Sequence, residues 1–436
     1  MSVSPKRVDK RISNKINRIA RETFGYESLH PGQAEAIESV LAGCDTLVVM
    51  PTGSGKSAIY QIATLLLPGP AVVVSPLIAL QRDQVESINA GHGGEAAVVN
   101  SAARVAARRK AWEDLDGHRL EYLFLAPEQF SNEATLAHLK SANPSLVVVD
   151  EAHCISEWGH DFRPDYLKLG AVVEALGHPT VLALTATASP PVCEEIVKRL
   201  GMRQPRVVVQ GFDRPNIWLG VERFEDARGK RKALLARVEE AEKPGIVYAA
   251  THKEAEDLAA ALGRRGVRAR YYHAGLKASE RDAAQASLMA DELDVIVATT
   301  AFGMGIDKPN VRFVFHHDIS ESVDAYYQEI GRAGRDGAPA RAILFYRPED
   351  LGLRRFFAGG GHVDVDAVER VAVMVREHHT PLDPCELREE AHLSQSKTGT
   401  ALSRLEEVGA IEILPTGEVA AGSELNDAHA VAEVAV

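Results

Sequence analysis

A glycine-rich segment near the N-terminus has the composition of a loop that binds phosphate. Residues 50–57 read MPTGSGKS and lie between an apolar run and a segment with helical character. Glycines let backbone N–H groups approach phosphate oxygens, a lysine neutralises their charge, and a serine hydroxyl can ligate Mg²⁺. Met50 stands where such loops usually begin with glycine. We expect these residues to bind nucleotide phosphates: Thr52, Gly53, Ser54, Gly55, Lys56 and Ser57.

Two carboxylates follow a second apolar run. Asp150 and Glu151 come directly after residues 146–149, which read LVVV. The carboxyl ends of parallel strands are where such sheets bind ligands, so Asp150 would join Ser57 in holding Mg²⁺, and Glu151 would orient and deprotonate water. Two acidic residues after a strand are more often a solvated strand end. Together with the phosphate loop upstream, they favour nucleotide hydrolysis.

A third group of residues combines arginines with glycines. Residues 328–335 read QEIGRAGR. We predict that Arg335 is an arginine finger and that Arg332 and Gln328 contact a γ-phosphate, because guanidinium groups stabilise charge developing on phosphate. A salt-bridged surface helix would not explain the interleaved glycines. Because Lys56 and Arg335 lie far apart in the sequence, ATP binding would draw two parts of the chain together.

The alternation of apolar runs with helix-length segments predicts an α/β fold. The sequence predicts strands at residues 46–50, 71–75, 122–125, 146–149 and 180–184. The alternation begins again after residue 211, with strands predicted at 246–249, 295–298, 313–315 and 342–345, as in parallel sheets covered by helices. We expect a first lobe at residues 1–210 and a second at 211–356. Residues 362–421, with three helical segments and a hairpin, predict a small winged-helix-like α+β domain. The Ala-rich acidic residues 422–436 are expected to be disordered.

Charge and composition limit the class of protein. The chain of 436 residues has a formal net charge of −12, of which residues 364–436, with 15 acidic and 5 basic side chains, carry −10. The nearly neutral remainder can still form a basic groove. No apolar run is long enough to span a membrane, and the basic N-terminus is unlike a signal peptide, so we expect a cytoplasmic protein, at the nucleoid if the source is prokaryotic.

One segment resembles a known family. Residues 150–164 read DEAHCISEWGHDFRP and are similar to the second motif of the RecQ family of superfamily-two helicases, running into its aromatic-rich loop. Aromatic faces stack on bases, and the resemblance implies DNA contacts by four residues: Trp158, His160, Phe162 and Arg163. The alternative is that Trp158 and Phe162 only pack at the interface between the lobes.

Other segments extend this resemblance over residues 24–346. Residues 24–26 and 31–33 resemble the adenine motif, which implies nucleotide contacts by Tyr26, His30 and Gln33. Residues 184–188, LTATA, resemble the motif that couples the lobes. Residues 74–80, 272–276 and 298–310 resemble motifs that grip a phosphodiester backbone. They imply DNA contacts by Ser75, Pro76, Leu77, His273, Thr299 and Thr300, and a nucleotide contact by Asp307.

The sequence departs from the family pattern in three places. His30 stands where the family usually has arginine, which puts part of the adenine contact in doubt. Of the cysteines, only Cys385 follows the second lobe, so we expect no zinc module. The chain also offers no length for the family's additional helical DNA-binding domain.

The resemblance implies two RecA-like lobes and an ATP- and Mg²⁺-dependent DNA helicase. It would translocate 3′ to 5′ on single-stranded and tailed duplex DNA, in repair or recombination. An RNA-dependent ATPase remains an alternative, because the motor motifs do not distinguish RNA from DNA. A nucleotide-switched DNA clamp or annealing factor also stays open, since the zinc module is missing. The acidic C-terminal segment could bind the motor or a protein partner as readily as duplex, because residues 394–408 offer only Lys397 and Arg404 as cations.

Overall fold

The computed structural model describes residues 10–91, 93–101, 103–156, 163–211, 213–302, 308–351, 365–378, 380–414, 418–423, 425 and 428–435. Four predicted site residues lie outside these ranges: Trp158, His160, Phe162 and Asp307. The chain divides into two compact units. The first comprises Met1–Met50, Ser54–Gly211 and His362–Val436, and the second comprises Pro51–Gly53 and Phe212–Gly361.

Each unit contains a parallel sheet. The first sheet has the strand order β3-β4-β2-β5-β6-β1-β7 and is formed by β1 (Thr46–Val49), β2 (Ala71–Val74), β3 (Ala96–Val99), β4 (Tyr122–Leu125), β5 (Leu146–Val149), β6 (Thr180–Thr185) and β7 (Arg206–Val209). The second has the order β10-β11-β9-β12-β13-β8 and is formed by β8 (Ile217–Arg223), β9 (Gly245–Tyr248), β10 (Ala269–Tyr272), β11 (Val295–Ala298), β12 (Phe313–His316) and β13 (Ala340–Tyr346).

Helices connect the strands in both units. In the first they are α1 (Lys10–Glu22), α2 (Gln33–Leu41), α3 (Lys56–Thr64), α4 (Ile78–Ala90), α5 (Val105–Asp116), α6 (Glu133–Ala142), α7 (Leu169–Ala175) and α8 (Pro190–Arg199). In the second they are α9 (Ala227–Glu240), α10 (His252–Gly263), α11 (Ala278–Met289) and α12 (Val323–Ile330). Among the described residues, no helix combines the length and apolar character that a membrane crossing needs.

The central strands of the first sheet are buried on both faces. Strands β1, β2, β4 and β5 consist wholly of buried residues. Their alternate side chains enter two different apolar clusters: Val147 and Val149 lie in one, and Leu146 and Val148 in the other. Helices must therefore cover both faces, which explains why these strands are uninterrupted apolar runs in the sequence.

The second unit contains a buried charge network beside its sheet. The ammonium group of Lys230, on α9, lies 3.2 Å from a carboxylate oxygen of Asp318 and 2.6 Å from one of Asp350. The Lys230 side chain is only 2% exposed. A buried ammonium group needs such partners, so this network fixes α9 against the strand ends.

The C-terminal segment has the helix order that the sequence predicts, with one addition. It contains α13 (Val365–His378), α14 (Pro384–Glu390) and α15 (Gln395–Glu407), and then the antiparallel pair β14 (Ile411–Ile413) and β15 (Val419–Ala421). Instead of the disorder expected for residues 422–436, the structure has a helix, α16 (Ala428–Ala435). Ala428 and Ala432 are buried in the same apolar cluster as Val368 and Val371 of α13, which explains why this acidic tail orders.

Two ion pairs join this segment to the rest of the first unit. The Arg199 guanidinium on α8 donates to both carboxylate oxygens of Glu406 on α15, at 3.1 and 3.0 Å. Lys168, in the short 3-10 helix Pro164–Lys168, pairs with Asp383 just before α14. The acidic character of the C-terminal segment therefore serves, at least in part, to attach it to the first lobe.

Candidate functional site

The phosphate loop predicted at residues 50–57 lies between β1 and α3. Gly53 and Gly55 have φ angles of 78° and 74°, which glycine adopts without strain. Gly55 is the residue before α3, so the first turn of that helix offers backbone N–H groups to an anion. The Lys56 ammonium donates to the carbonyl oxygen of Met50 at 3.0 Å and lies across the loop.

The predicted adenine motif contacts the same loop. The Gln33 side-chain amide donates to the carbonyl oxygens of Ser54 at 3.0 Å and Gly55 at 2.8 Å. Its oxygen accepts the backbone N–H of His30 at 2.8 Å. A Cβ atom at Gly55 would lie 2.7 Å from the Gln33 amide nitrogen and would displace it, and the positive φ of Gly55 also favours glycine. Tyr26, which is 39% exposed, stacks against Phe24 with ring centroids 6.0 Å apart.

The two predicted catalytic carboxylates follow β5. Glu151 has φ 49° and ψ 47°, in the left-handed region that non-glycine residues rarely adopt. Burial, and then the neighbouring Glu151 carboxylate, raise the pKa of the Asp150 carboxyl to about 7, against the lowering effect of the Lys56 ammonium. Asp150 is thus a buried acid close to a lysine of the phosphate loop, and a divalent cation there would favour its charged form.

A contact that sequence reasoning missed connects these carboxylates to the next strand. The His153 imidazole, 1% exposed, lies 3.4 Å from a carboxylate oxygen of Glu151 through its Nδ1 atom. The same nitrogen lies 2.9 Å from the hydroxyl of Thr185, which donates to the carbonyl oxygen of Thr187 at 2.9 Å. The only signal in the sequence was that His153 and Thr185 each belong to a segment that resembles a helicase motif. Their proximity follows from the pairing of β5 with β6.

The predicted DNA contacts of the first unit are less accessible than the sequence implied. Ser75 and Pro76 are buried, whereas Leu77 is half-buried. The Arg163 guanidinium donates to the Pro76 carbonyl oxygen at 3.1 Å, so the structure brings two of the predicted residues together. Ser75 ends a central strand, and its carbonyl oxygen accepts from the Gln81 amide at 2.7 Å, which explains its burial.

In the second unit, the predicted arginines lie at and beyond the end of α12. Gln328 is on the helix, whereas Arg332 and Arg335 are in the turns that follow. Arg332 is 5% exposed and its Nε atom is buried without a hydrogen-bond partner. Burial raises the pKa of the Tyr248 hydroxyl to about 12, against the lowering effect of the Arg332 guanidinium. The arginines therefore do not form the surface helix that was the alternative expectation.

Glu329 fixes the end of the same helix. Its carboxylate accepts from the Ser320 hydroxyl at 2.5 Å and lies 2.8 Å from Nε2 of His316, and the Glu329 residue is 6% exposed. Sequence reasoning had assigned no role to Glu329. These buried contacts of Glu329 fix the backbone from which Arg332 and Arg335 extend.

His273 and Thr299 lie at the ends of adjacent strands. They follow β10 and β11, whose residues Tyr272 and Ala298 are register partners. His273 Nε2 lies 3.0 Å from the Glu256 carboxylate, and its ring stacks on His252 with centroids 4.3 Å apart. Thr299 is 7% exposed, and Thr300 beside it is exposed. His273 is only 5% exposed, so of these three predicted DNA contacts only Thr300 is exposed at the carboxyl ends of the strands.

The residues of the first unit fit a magnesium-bound nucleotide. The Ser54 hydroxyl is buried in the phosphate loop without a hydrogen-bond partner, and the Glu151 Oε2 atom, which lies 3.4 Å from Nδ1 of His153, likewise accepts no hydrogen bond. An uncompensated buried polar atom is costly, and a phosphate group or an attacking water would satisfy both. Ser57 and Asp150 supply the oxygen ligands that Mg²⁺ prefers.

Comparison with known proteins agrees with this site. The family model described as DEAD/DEAH box helicase matches residues 30–196, and the model described as helicase conserved C-terminal domain matches residues 229–337. The probable ATP-dependent DNA helicase RecS of Bacillus subtilis is 43% identical over 341 residues, which cover 78% of this chain and 68% of RecS. The chain belongs to the RecQ family of ATP-dependent DNA helicases.

Other RecQ relatives are longer than this chain. The RecQ helicase of Pasteurella multocida is 42% identical over 333 residues, which are 76% of this chain but 52% of that protein. The chain thus spans about half the length of that RecQ relative, and the similarity concerns the motor.

Solved structures show the same fold as this RecQ chain. The helicase Lhr of Mycobacterium smegmatis, bound to single-stranded DNA and AMP-PNP, has a TM-score of 0.58 at 22% identity and covers 95% of this chain and 60% of its own. The DUF1998 helicase MrfA, bound to DNA, has a TM-score of 0.63 at 17% identity and covers 98% of this chain and 61% of its own. These likenesses confirm the predicted pair of RecA-like lobes.

Proposed function

We propose that this chain is an ATP-driven motor that moves 3′ to 5′ along single-stranded DNA and separates duplex, in repair or recombination. The observation that carries the proposal is the arrangement at the edge of the first sheet. There, the phosphate loop with Lys56 adjoins the buried acid Asp150, and Glu151 is held in a left-handed conformation beside His153.

The chemistry assigned to the first unit is hydrolysis of a phosphoanhydride bond. Glu151 accepts a proton from the attacking water, and Lys56 neutralises charge on the leaving phosphate oxygens. Ser57 and Asp150 would hold Mg²⁺, which when bound neutralises phosphate charge and fixes the oxygens in line. The histidine–threonine contact positions Glu151, because His153 touches both Glu151 and Thr185.

The second unit supplies the remaining groups in this proposal. Arg335 serves as the arginine finger, with Arg332 and Gln328 near the γ-phosphate. Binding of ATP would then favour a closed arrangement of the two lobes, and loss of the γ-phosphate would release it. The cycle moves the strand that Arg163, His273 and Thr300 contact, together with the aromatic segment at residues 157–162.

Unwinding of tailed duplexes tests the proposal. A duplex with a 3′ single-stranded tail should be separated with ATP, but not with a non-hydrolysable analogue and not by the Lys56→Ala variant. A 5′-tailed duplex should stay paired. Separation of the 5′-tailed substrate alone would contradict the polarity. Tight DNA binding with ATP turnover and no strand separation would instead indicate a nucleotide-switched clamp, and stimulation by RNA but not DNA would indicate an RNA-dependent ATPase.

A further inference from the structure

The outer face of α1 carries a row of cations, interrupted by Glu22 at the C-terminal end of the helix. Helix α1 reads KRISNKINRIARE, with five basic residues and one acidic residue. We call its exposed cations the basic stripe: Lys10, Arg11, Lys15, Arg18 and Arg21. At 3.6 residues per turn they fall within an arc of about 140°, opposite the buried residues Ile16 and Ala20. The stripe therefore forms one surface, and it faces outward because the apolar side of the same helix is buried.

This arrangement is unfavourable for the helix itself. The stripe places like charges four or three residues apart, as in Arg11 with Lys15 and Lys15 with Arg18, which destabilises a helix by about 0.2–0.5 kcal/mol per pair. The first turn has no acidic residue and begins with two cations, which opposes the helix dipole. The stability of α1 as a helix therefore does not explain why these positions are basic.

Ion pairs within the described part of the protein account for only some of the stripe. Helix α9 also has five basic residues, but its Lys230, Arg231 and Arg237 each pair with acidic side chains. In α1 the pair between Arg18 and Glu22 spans 3.9 Å with both side chains exposed. Lys10, Lys15 and Arg21 pair with no carboxylate in the described part of the chain. In a chain with net charge −12, α1 therefore carries an excess of positive charge on one face.

We propose that the basic stripe is a binding site for the phosphodiester backbone of DNA, in addition to the contacts of the helicase motifs. This rests on the proposed function, because that function brings DNA to the protein. From residue 11 to residue 21 the helix rises about 15 Å, at 1.5 Å per residue. That length matches about four phosphates of one strand at 3.4 Å each. The contacts are charge contacts to phosphate and read no sequence.

A lipid surface fits the stripe less well. Helices that bind membranes insert an apolar face into the lipid, beside their cations. The apolar face of α1 is occupied, since Ile16 and Ala20 are 1% and 2% exposed within the core of the first lobe. A ligand of α1 must therefore be recognised by charge alone, which a phosphodiester backbone satisfies.

The salt dependence of DNA binding tests the stripe. The test variant combines Lys10→Gln, Lys15→Gln and Arg21→Gln, which break no ion pair of the described residues and keep good helix formers. The matched control combines Arg104→Gln, Lys110→Gln and Lys198→Gln, which removes the same charge from exposed positions elsewhere in the first unit. Binding of fluorescein-labelled duplex and single-stranded DNA is measured by anisotropy across a salt series, with far-UV circular dichroism to check folding.

The expected result is specific to the stripe variant. The slope of log affinity against log salt should fall by about 0.9 for each phosphate that the variant no longer neutralises, hence by roughly two to three, with affinity at low salt reduced about tenfold or more. An unchanged slope, or an equal change in the control, would overturn the proposal. Binding of the stripe variant to anionic lipid vesicles is also measured. Weaker binding to the vesicles, together with an unchanged salt slope for DNA, would likewise overturn the proposal.

The ATPase assay separates this failure from failure of the proposed function. If the wild-type protein shows no stimulation of ATP turnover by DNA, the motor proposal itself fails. If turnover is stimulated by saturating DNA in the wild type and in both variants, but the salt slope of the stripe variant is unchanged, the motor stands and the stripe is no DNA site.

Discussion

At the scale of single residues, the site depends on a glutamate held in an unfavourable backbone conformation. Glu151 adopts the left-handed region beside His153, which costs on the order of 1 kcal/mol or more and persists only because its surroundings hold it. This conformation accompanies a carboxylate oxygen that is buried without a hydrogen-bond partner. Such an oxygen is suited to accept a proton from water.

Replacing Glu151 with Gln tests its role as the base. The amide keeps the size of the side chain but cannot accept the proton, so ATP binding should persist while DNA-stimulated turnover falls by roughly 10²–10⁴-fold. Single-turnover hydrolysis and nucleotide binding measure the two effects separately. The matched control is Glu86→Gln, on the exposed surface of α4. Retained hydrolysis in Glu151→Gln would remove this residue from the mechanism.

The hydroxyl of Thr185 gives a second residue-level prediction. Thr185→Val keeps the side-chain shape but leaves Nδ1 of His153 without the oxygen now 2.9 Å away. Removal of a hydrogen bond worth about 1.4 kcal/mol corresponds to about a tenfold lower rate of turnover, with the KM for ATP little changed. Steady-state kinetics measure both values, and Thr180→Val, at the other end of β6, is the control. A change in KM alone would show that the contact does not position Glu151.

The residue types of this site were predictable, but their contacts were not. The spacing of Lys56 and Ser57 in a glycine-rich loop, and of Asp150 after an apolar run, identifies them from chemistry that only those side chains perform. The left-handed backbone of Glu151 and the bond from His153 to Thr185 arise from the tertiary pairing of strands. No local pattern encodes such pairing.

At the scale of elements, the sequence predicts the central strands better than the edge strands. Residues 122–125, 146–149 and 295–298 were expected as strands with these bounds, because strands buried on both faces are continuous apolar runs. Four strands were not anticipated: β3, β7, β8 and β10. The first sheet ends in β3 and β7 and the second in β10 and β8, where the burial of both faces is incomplete and polar residues interrupt the pattern.

The attachment of the C-terminal helices to the first lobe gives an element-level prediction. The Arg199 and Glu406 side chains are 11% and 29% exposed, and one guanidinium nitrogen donates to both carboxylate oxygens, so we expect a coupling of about 1–3 kcal/mol. A double-mutant cycle of Arg199→Gln and Glu406→Gln measures this coupling through amide hydrogen exchange in α8 and α15. Glu386→Gln, on the exposed side of α14, is the control. Additive single effects would show that the pair does not hold the domain.

At the scale of the whole molecule, each of the two units, built around a parallel sheet, carries one part of the proposed chemistry. The first unit holds Lys56, Ser57 and the carboxylates, and the second holds the arginines beyond α12. In the proposed mechanism the base and Lys56 come from the first unit, and the arginine that stabilises transition-state charge comes from the second. The central claim is that both halves act on one triphosphate.

DNA-stimulated ATP turnover by an Arg335→Ala variant tests that claim most directly. If Arg335 stabilises charge on the same γ-phosphate that Lys56 contacts, turnover at saturating ATP and DNA should fall by roughly 10³-fold or more, while ATP still binds. The Arg341→Ala variant, which removes a more exposed arginine on β13, should turn over ATP like the wild type. Wild-type turnover by Arg335→Ala would contradict a shared catalytic site.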